Sequence, residues 1–397
     1  MPSDAAIARV VDETRRICAM PAPPFGEGPR AELVAWLFGE SGVQARVDET
    51  GNVIAAIGGE GPGAVVFAAH LDTVFEAGTE IAFEEGDGRL AAPGVGDNSI
   101  AVAALLHLAR HLKDGTPTRP IVLAATVGEE GLGDLRGAKA LLEELDVGAF
   151  VAVEGQMLGA IKTAGVGSIR LRLTVRGPGG HPWGDRGTPS AVHGLVDLLS
   201  GALAEAHRAD IVFNVGVLRG GTAINTIASE ASAELVLRSE DDGRLRATAA
   251  RIEEVLAWAP EGLVVTVEPL GRRPGGRVAT DHPLVQAARR ARESAGLPPA
   301  DEGGSSTDAN AAYGRDIPAI TVGVTTGGNA HRLDEYIDLA PIGDGLAALE
   351  ALADELAAGG AAYRPPPRVR PRPPPRARPR SEPGRCTRRG GGRCRRS

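Results

Sequence analysis

The 397-residue sequence has no apolar run of about 18 residues, the length a membrane-crossing helix needs, so no membrane span is expected. Its first twenty residues lack the apolar stretch of a secretory signal. They carry Asp4, Arg9, Asp12, Glu13, Arg15 and Arg16 instead. Cysteine is nearly absent. Cys18, Cys386 and Cys394 are too few and too scattered for a disulfide framework or a zinc finger, and they fit a reducing, cytoplasmic location. Aromatics make up only 3% of the chain. The apolar fraction is still an ordinary 43%, so Ala, Val and Leu must build the core. No G-x-S-x-G elbow occurs, which argues against a serine hydrolase. The segment "GVGDNS" has glycines but no phosphate-loop lysine, and "HLARH" at 107–111 has Leu108 where a zincin helix carries its glutamate. The bland reading of His107 and His111 is a helix surface.

The net charge of −8 hides an asymmetry. Residues 364–397 hold thirteen arginines and one glutamate; without them, 43 basic and 51 acidic residues become 30 and 50, a body of net −20. Such a body is not expected to bind nucleic acid through its general field. The Arg/Pro/Gly-rich end cannot pack a core and reads as a disordered tail. A binding or scaffold protein that acts through this tail is the alternative of another class, with RNA, an anionic membrane or an SH3-like domain as its partner.

Within the body, short apolar runs bounded by Gly, Pro or charge read as buried strands: Asn52–Ile57, Ala64–Ala69, Ile121–Val127, Phe150–Val153 and Ile317–Val324. Helical spacing at 4–19, 28–40, Ser99–Leu112, Gly137–Leu145 and Leu284–Ser294 alternates with them. This pattern predicts an α/β fold, with a mostly parallel sheet and helices on both faces. One region departs from it. Period-two stretches at 166–175 and 231–239, the run "GLVVTVEPL" and helices at about 190–207 and 241–258 predict an inserted, smaller α+β domain with one open sheet face. The expected organisation is a catalytic domain from 1–167 and 273–363, a lid or dimerisation domain at 168–272, and the tail at 364–397.

The residues just past the buried strands suggest chemistry. Ala64–Ala69 runs into His70-Leu71-Asp72, Ile121–Val127 into Glu129-Glu130, and Phe150–Val153 into Glu154. "PGVGDNS" places Asp97 at a helix start, and the loop after Ile317–Val324 delivers His331. Ligands of open α/β sheets bind beyond the carboxyl ends of the strands. Taken singly, each residue has a bland reading: Asp97 as a helix N-cap, Glu154 as a solvated strand end, each histidine as a structural hydrogen-bonder. Together they would concentrate negative charge that only cations can offset. Mixed imidazole and carboxylate donors suit zinc, with cobalt or manganese as alternatives. Three ligand carboxylates, Asp97, Glu130 and Glu154, against two divalent ions suggest a co-catalytic pair. Asp72 can accept the second ring N–H of His70. Adjacent glutamates in a turn can diverge, one towards metal and its neighbour towards water as general base.

These motifs resemble the family of di-zinc aminoacylases and exopeptidases that includes peptidase T, acetylornithine deacetylase, succinyl-diaminopimelate desuccinylase and glutamate carboxypeptidase. The resemblance is carried by "HLDTV" at 70–74, "GVGDNS" at 94–99, "GEEGLGDLRG" at 128–137, "VEG" at 153–155, "GPGGHPWGDRGTPSAVHG" at 177–194, "GGTAINTI" at 220–227, "STDAN" at 306–310 and "NAHRLDEYID" at 329–338. Pro182 and Ala228 depart from the residues common at those places. The resemblance implies that His70, Asp97 and Glu154 hold one metal ion, and that Asp97, Glu130 and His331 hold the other. It implies Glu129 as the base, Asp72 as the residue orienting His70, and His181 as an oxyanion donor to a neighbouring subunit's site. Asn225 and Arg238 are implied to bind the substrate's backbone or terminal carboxylate. The expected protein is a homodimeric metallo-hydrolase of short peptides, with N-acyl amino acids as the alternative substrates.

Overall fold

The computed structural model describes residues 1–59 and 61–359; the expected tail at 364–397 lies outside the described residues. A nine-stranded sheet forms the main layer. Its centre is the parallel set Ile121–Thr126, Ala64–His70, Val147–Glu154 and Ala319–Gly323, in that spatial order. Antiparallel strands flank this centre. Val53–Ile57 and Ala45–Val47 extend one side, Ala160–Gly165 and Gly276–Arg277 the other, and Asp301–Ser305 pairs in parallel with Ala160–Gly165.

The three strands Ala64–His70, Ile121–Thr126 and Val147–Glu154 are buried at every residue. That explains why they read as continuous apolar runs and not as alternating ones. Helices Asp4–Cys18, Gly28–Glu40, Ile100–Leu112, Pro283–Ser294 and Ile342–Ala357 pack in one connected group, while Arg136–Glu144 packs with Ala309–Tyr313 in another. The helix Ile100–Leu112 is buried on almost all sides, so its sequence is nearly all Ala, Val and Leu.

A separate four-stranded antiparallel sheet has the order Val212–Gly220, Glu230–Ser239, Gly167–Arg176, Val264–Arg273. Its second and third strands alternate buried and half-buried residues, so one face packs and the other stays open. Helices Ala191–Arg208 and Asp242–Ala257 cover the packed face around a second apolar core. The Asp241 side chain caps the latter helix by accepting from the Arg244 N–H at 2.8 Å. The edge strand Val212–Gly220 goes beyond the three strands read from sequence. It carries a bulge between Val215 and Val217, which breaks the period-two signal. A small third sheet, Gly327–Gly328, Tyr336–Asp338, Arg89–Ala91 and Glu84–Gly86, lies beside the loop that carries Asp97.

Candidate metal centre

The four central strands run the same way, so their carboxyl ends share one rim. His70 ends its strand paired with Thr126, and Glu154 ends its own beside Gly323. The segments beyond the strand ends carry Glu129, Glu130 and His331. The turn Val95–Ser99 before helix Ile100–Leu112 presents Asp97. The Asp97–Asn98 peptide is cis.

Asp97 faces both histidines at once. Its Oδ1 is 3.0 Å from His70 Nε2, and its Oδ2 is 3.0 Å from His331 Nε2. His70 Nε2 also faces Glu154 Oε2 at 3.7 Å, and His331 Nε2 faces Glu130 Oε1 at 3.1 Å. The set therefore divides into two triads, His70–Asp97–Glu154 and Asp97–Glu130–His331, each with donor atoms within 4.8 Å of one another. One imidazole and two carboxylates in each triad suit a divalent ion, and the shared carboxylate suits a pair of them. His331 lies at φ +66, in the left-handed region that costs a non-glycine residue about 1–2 kcal/mol.

Burial and mutual hydrogen bonding shift the titration of these groups in opposite directions. Burial disfavours charge on His70, yet hydrogen bonds to Asp97 and Glu154 raise its pKa well above the ordinary range. The His331 imidazole is pushed up to about 10 by its hydrogen bonds to Asp97 and then Glu130. Burial opposes ionisation of Asp97, but the bonds from His331 and His70 outweigh it and hold this acid below the usual carboxylate range. Glu154 is pushed up to about 7, chiefly by burial.

The two adjacent glutamates do diverge. Both main-chain N–H groups donate to one carboxylate, Glu129 to Asp72 Oδ1 at 2.9 Å and Glu130 to Asp72 Oδ2 at 2.7 Å. From that fixed turn the Glu130 side chain goes to His331. Glu129 goes to Arg273, whose Nη1 donates to Oε1 at 2.7 Å and whose Nη2 donates to the Glu129 carbonyl. This differs from the expected role of the Asp72 carboxylate. The second ring nitrogen of His70 meets the Asp72 main-chain carbonyl at 2.9 Å, while the carboxylate lies 3.8 Å away and binds the glutamate turn. The turn's N–H groups have no ladder partner, and a buried acceptor must satisfy them. Glu129 is buried, and burial raises its pKa well above the ordinary range, against the opposing charge of Arg273.

Residues not found from sequence hold the two triads in place. Asn98 donates to the Val153 carbonyl and accepts from the Gly155 N–H, both at 2.9 Å, and so brackets Glu154. Arg30 is fully enclosed and donates to three main-chain carbonyls, among them that of Leu71 between His70 and Asp72. Glu335 is wholly buried and accepts from the N–H groups of Gly94, Gly96 and Asp97 at 3.0, 2.8 and 2.6 Å. It thereby ties the loop of His331 to the loop of Asp97. Asp308, also buried, accepts from the Thr126 hydroxyl. The "GDNS", "STDAN" and "DEY" stretches were visible in sequence; their partners were not.

The small sheet carries the other expected residues. His181 and Asn225 are exposed, and their loops join through the bridge between Gly180 and Ile227. His181 makes no bond to the metal cluster among the described residues. Its Nδ1 accepts from the N–H groups of Trp183 and Gly184 at 3.3 and 3.1 Å, which places the ring proton of the neutral imidazole on Nε2. Arg238 is half-buried on the open face of the small sheet, and the strand Gly167–Arg176 separates its strand from the one that ends in Arg273.

The sequence pattern of peptidase family M20/M25/M40 matches residues 66–355, well over half of the chain. The chain belongs to this family. It is 28% identical over 361 residues to succinyl-diaminopimelate desuccinylase 2 of Ruegeria sp. (strain TM1040), covering 80% of this chain and 87% of that protein. The structure resembles aminopeptidase PepT of Bacillus cereus ATCC 10987, with a TM-score of 0.70 and 24% identity over 88% of this chain and 99% of that one. It also resembles a Bacillus subtilis M20-family protein described as a dinuclear metal-binding peptidase, with a TM-score of 0.63 and 18% identity over 89% and 99% of the two chains. This M20 chain is therefore a metal-dependent hydrolase of peptide or amide bonds, and its two triads supply donors for two divalent ions. No helix among the described residues is long and apolar enough to cross a membrane.

Proposed function

We propose that the chain is a homodimeric, cytoplasmic di-zinc exopeptidase acting on short peptides. The observation that carries this reading is Asp97, with one carboxylate oxygen facing each imidazole. His70, Asp97 and Glu154 would hold one ion, and Asp97, Glu130 and His331 the other; mixed nitrogen and oxygen donors favour zinc, with cobalt or manganese as substitutes. Bound there, the ions supply Lewis acidity for the scissile carbonyl and for a water.

The chain's own groups do the rest. Glu129 is the base. Arg273 occupies its Oε1, so Oε2 takes the proton of the attacking water and later passes it to the leaving nitrogen. Burial that raises its pKa brings it nearer neutrality, where a base must both accept and release. Asp72 fixes the turn that separates Glu129 from Glu130. His181, with its proton on Nε2, donates to the oxyanion in a neighbouring subunit's site. Asn225 and Arg238 hold the substrate backbone or its terminal carboxylate. Residues 168–272 serve as lid and dimer-forming domain. The edge strand Val212–Gly220, with Val212 and Leu218 exposed, and the exposed Val196 and Leu203 of the adjoining helix support a self-association surface.

The identity shared with a desuccinylase over most of both chains favours a second reading, hydrolysis of N-acyl amino acids at the same site. Turnover by zinc- or cobalt-loaded protein separates the two, with free di- and tripeptides set against N-acetyl and N-succinyl amino acids. Glu129→Gln is expected to keep both ions and lose about 10²–10⁴-fold in turnover. Wild-type turnover by that variant sinks the assignment of the base.

A further inference from the structure

The open face of the small sheet treats its arginines in two ways. Far from the rim each is matched across strands. Arg172 bonds Glu234 at 2.9 Å and faces Glu268 at 3.5 Å, and Arg176 bonds Glu230 at 2.8 Å. At the end next to the metal centre the matching stops. Ser168 lies between Arg238 on one neighbouring strand and Arg273 on the other, and Arg170, two residues on, shares its face. Arg273 is neutralised by Glu129. Arg170 and Arg238 have no carboxylate at ion-pair distance among the described residues.

Arg170 reaches the turn that follows the glutamate pair. Its Nη1 donates to the main-chain carbonyl of Gly131, two residues beyond Glu129. The acid nearby, Asp134, is bonded by Lys139 at 2.6 Å. Beneath the three guanidinium groups, the Ser168 hydroxyl is buried without a hydrogen-bond partner. Burial, then the charges of Arg273 and Arg238, lower the pKa of Arg170 despite Asp134 and Glu129. Like charges gathered in a half-buried wall repel one another, and an orphan hydroxyl adds a further cost. A chain that pairs Arg172 and Arg176 with glutamates could have paired these as well.

We infer that Arg170 is a specificity-determining residue that binds a second carboxylate of the substrate, in addition to the terminal carboxylate held at Arg238. The inference rests on the hydrolase reading above and names its substrate class: peptides or acyl amino acids with an acidic group close to the scissile amide.

The test uses matched pairs on metal-loaded full-length protein: N-succinyl against N-acetyl derivatives of one amino acid, and dipeptides containing Asp or Glu against the same dipeptides with Asn or Gln. Turnover is read on wild type, and ligand binding by calorimetry on Glu129→Gln. The acidic member of each pair should bind about tenfold or more tighter and show a correspondingly lower KM. Combining Arg170→Gln with each should erase that preference, Arg170→Lys should restore part of it, and the matched Arg172→Gln should leave it intact. The inference fails if the binding preference is absent, or if Arg170→Gln weakens acidic and neutral members alike. Absence of all turnover removes the hydrolase reading, while the calorimetric preference still decides the role of Arg170.

Discussion

Glu335→Gln keeps the shape of a wholly buried side chain and removes only its charge and one acceptor. The glutamine carbonyl can still accept from Gly96 and Asp97, but its amide then faces the Gly94 N–H, donor against donor, at the 3.0 Å now occupied by a hydrogen bond. In the metal-free protein, burial, and then the charge of Asp97, push the Glu335 carboxyl up to about 7. Its folded pKa thus exceeds its unfolded value of about 4.3. Between those values the folded state binds more protons, so this group's contribution to stability is full at low pH and is lost as pH rises towards 7. The span corresponds to roughly 3–4 kcal/mol. Replacing Glu335 by neutral Gln removes that loss. Above pH 7 it offsets the missing hydrogen bond, itself worth about 1.5–3 kcal/mol. Metal-free stability at pH 8 should therefore change by no more than about 2 kcal/mol, and the variant's stability should vary less between pH 5 and 8. Metal affinity should respond differently. The loop held by Glu335 carries the carboxylate shared by both triads, and losing such outer support lowers affinity about 10–100-fold. Competition against a chelator, paired with urea unfolding of chelator-treated protein at pH 5 and pH 8, reads both quantities. A variant that binds both ions with wild-type affinity but unfolds several kcal/mol more easily would falsify the brace and leave Glu335 as ordinary packing.

Three other groups should respond measurably to pH or substitution. His331, pushed up to about 10, must lose a proton to become a ligand, so the metal affinity of the Asp97–Glu130–His331 triad should rise about tenfold per pH unit near pH 7–9; calorimetry in buffers of different ionisation enthalpy should show proton release, and pH-independent affinity would contradict the ligand set. Arg273→Met leaves the buried Glu129 carboxylate without its partner and should cost about 3–5 kcal/mol by urea unfolding of the metal-free protein at pH 8; a change under about 0.5 kcal/mol would mean that Glu129 is protonated there or solvated. His107, bonded to Glu350 at 2.8 Å, has its pKa lowered chiefly by burial, with Arg110 and His111 adding to the effect against Glu350. The unfolded state then binds the proton better, so stability present above about pH 6.5 is lost as pH falls. His107→Gln should flatten the acid side of the stability curve, and an unchanged slope between pH 7 and 5 would refute this.

How much of the site could be read from sequence depended on how locally each residue was specified. His70, Glu129, Glu130 and Glu154 each follow a buried strand within a few residues, so the fold class alone placed them on one rim. Asp97 and His331 needed the motifs as well, because their loops are long. Asp72 was found but its bonds were not: the sequence cannot say whether side chain or carbonyl meets the ring, and the unladdered N–H groups of Glu129 and Glu130 decided it. Arg30, Asn98, Arg273 and Glu335 were missed, since their partners lie far along the chain and a lone Arg, Asn or Glu carries no local pattern. The unmatched arginines are the extreme case. The period-two strands showed that Arg170 and Arg172 share a face, but only the register shows that Arg172 meets Glu234 while Arg170 meets Val236.

The same buried groups argue for two ions over one. Asp72, Asp97, Glu129, Glu130, Glu154, Asp308 and Glu335 gather at the rim, and among the described residues the permanent cations enclosed with them are Arg30 and Arg273. Seven negative charges against two positive leave an excess of five if every acid is ionised. A single divalent ion would leave three uncompensated charges in a poorly solvated place, each costing several kcal/mol. Two divalent ions bring the excess to one. Burial raises the affinity of Glu129 for a proton, so this acid is the one on which the last charge is most readily neutralised.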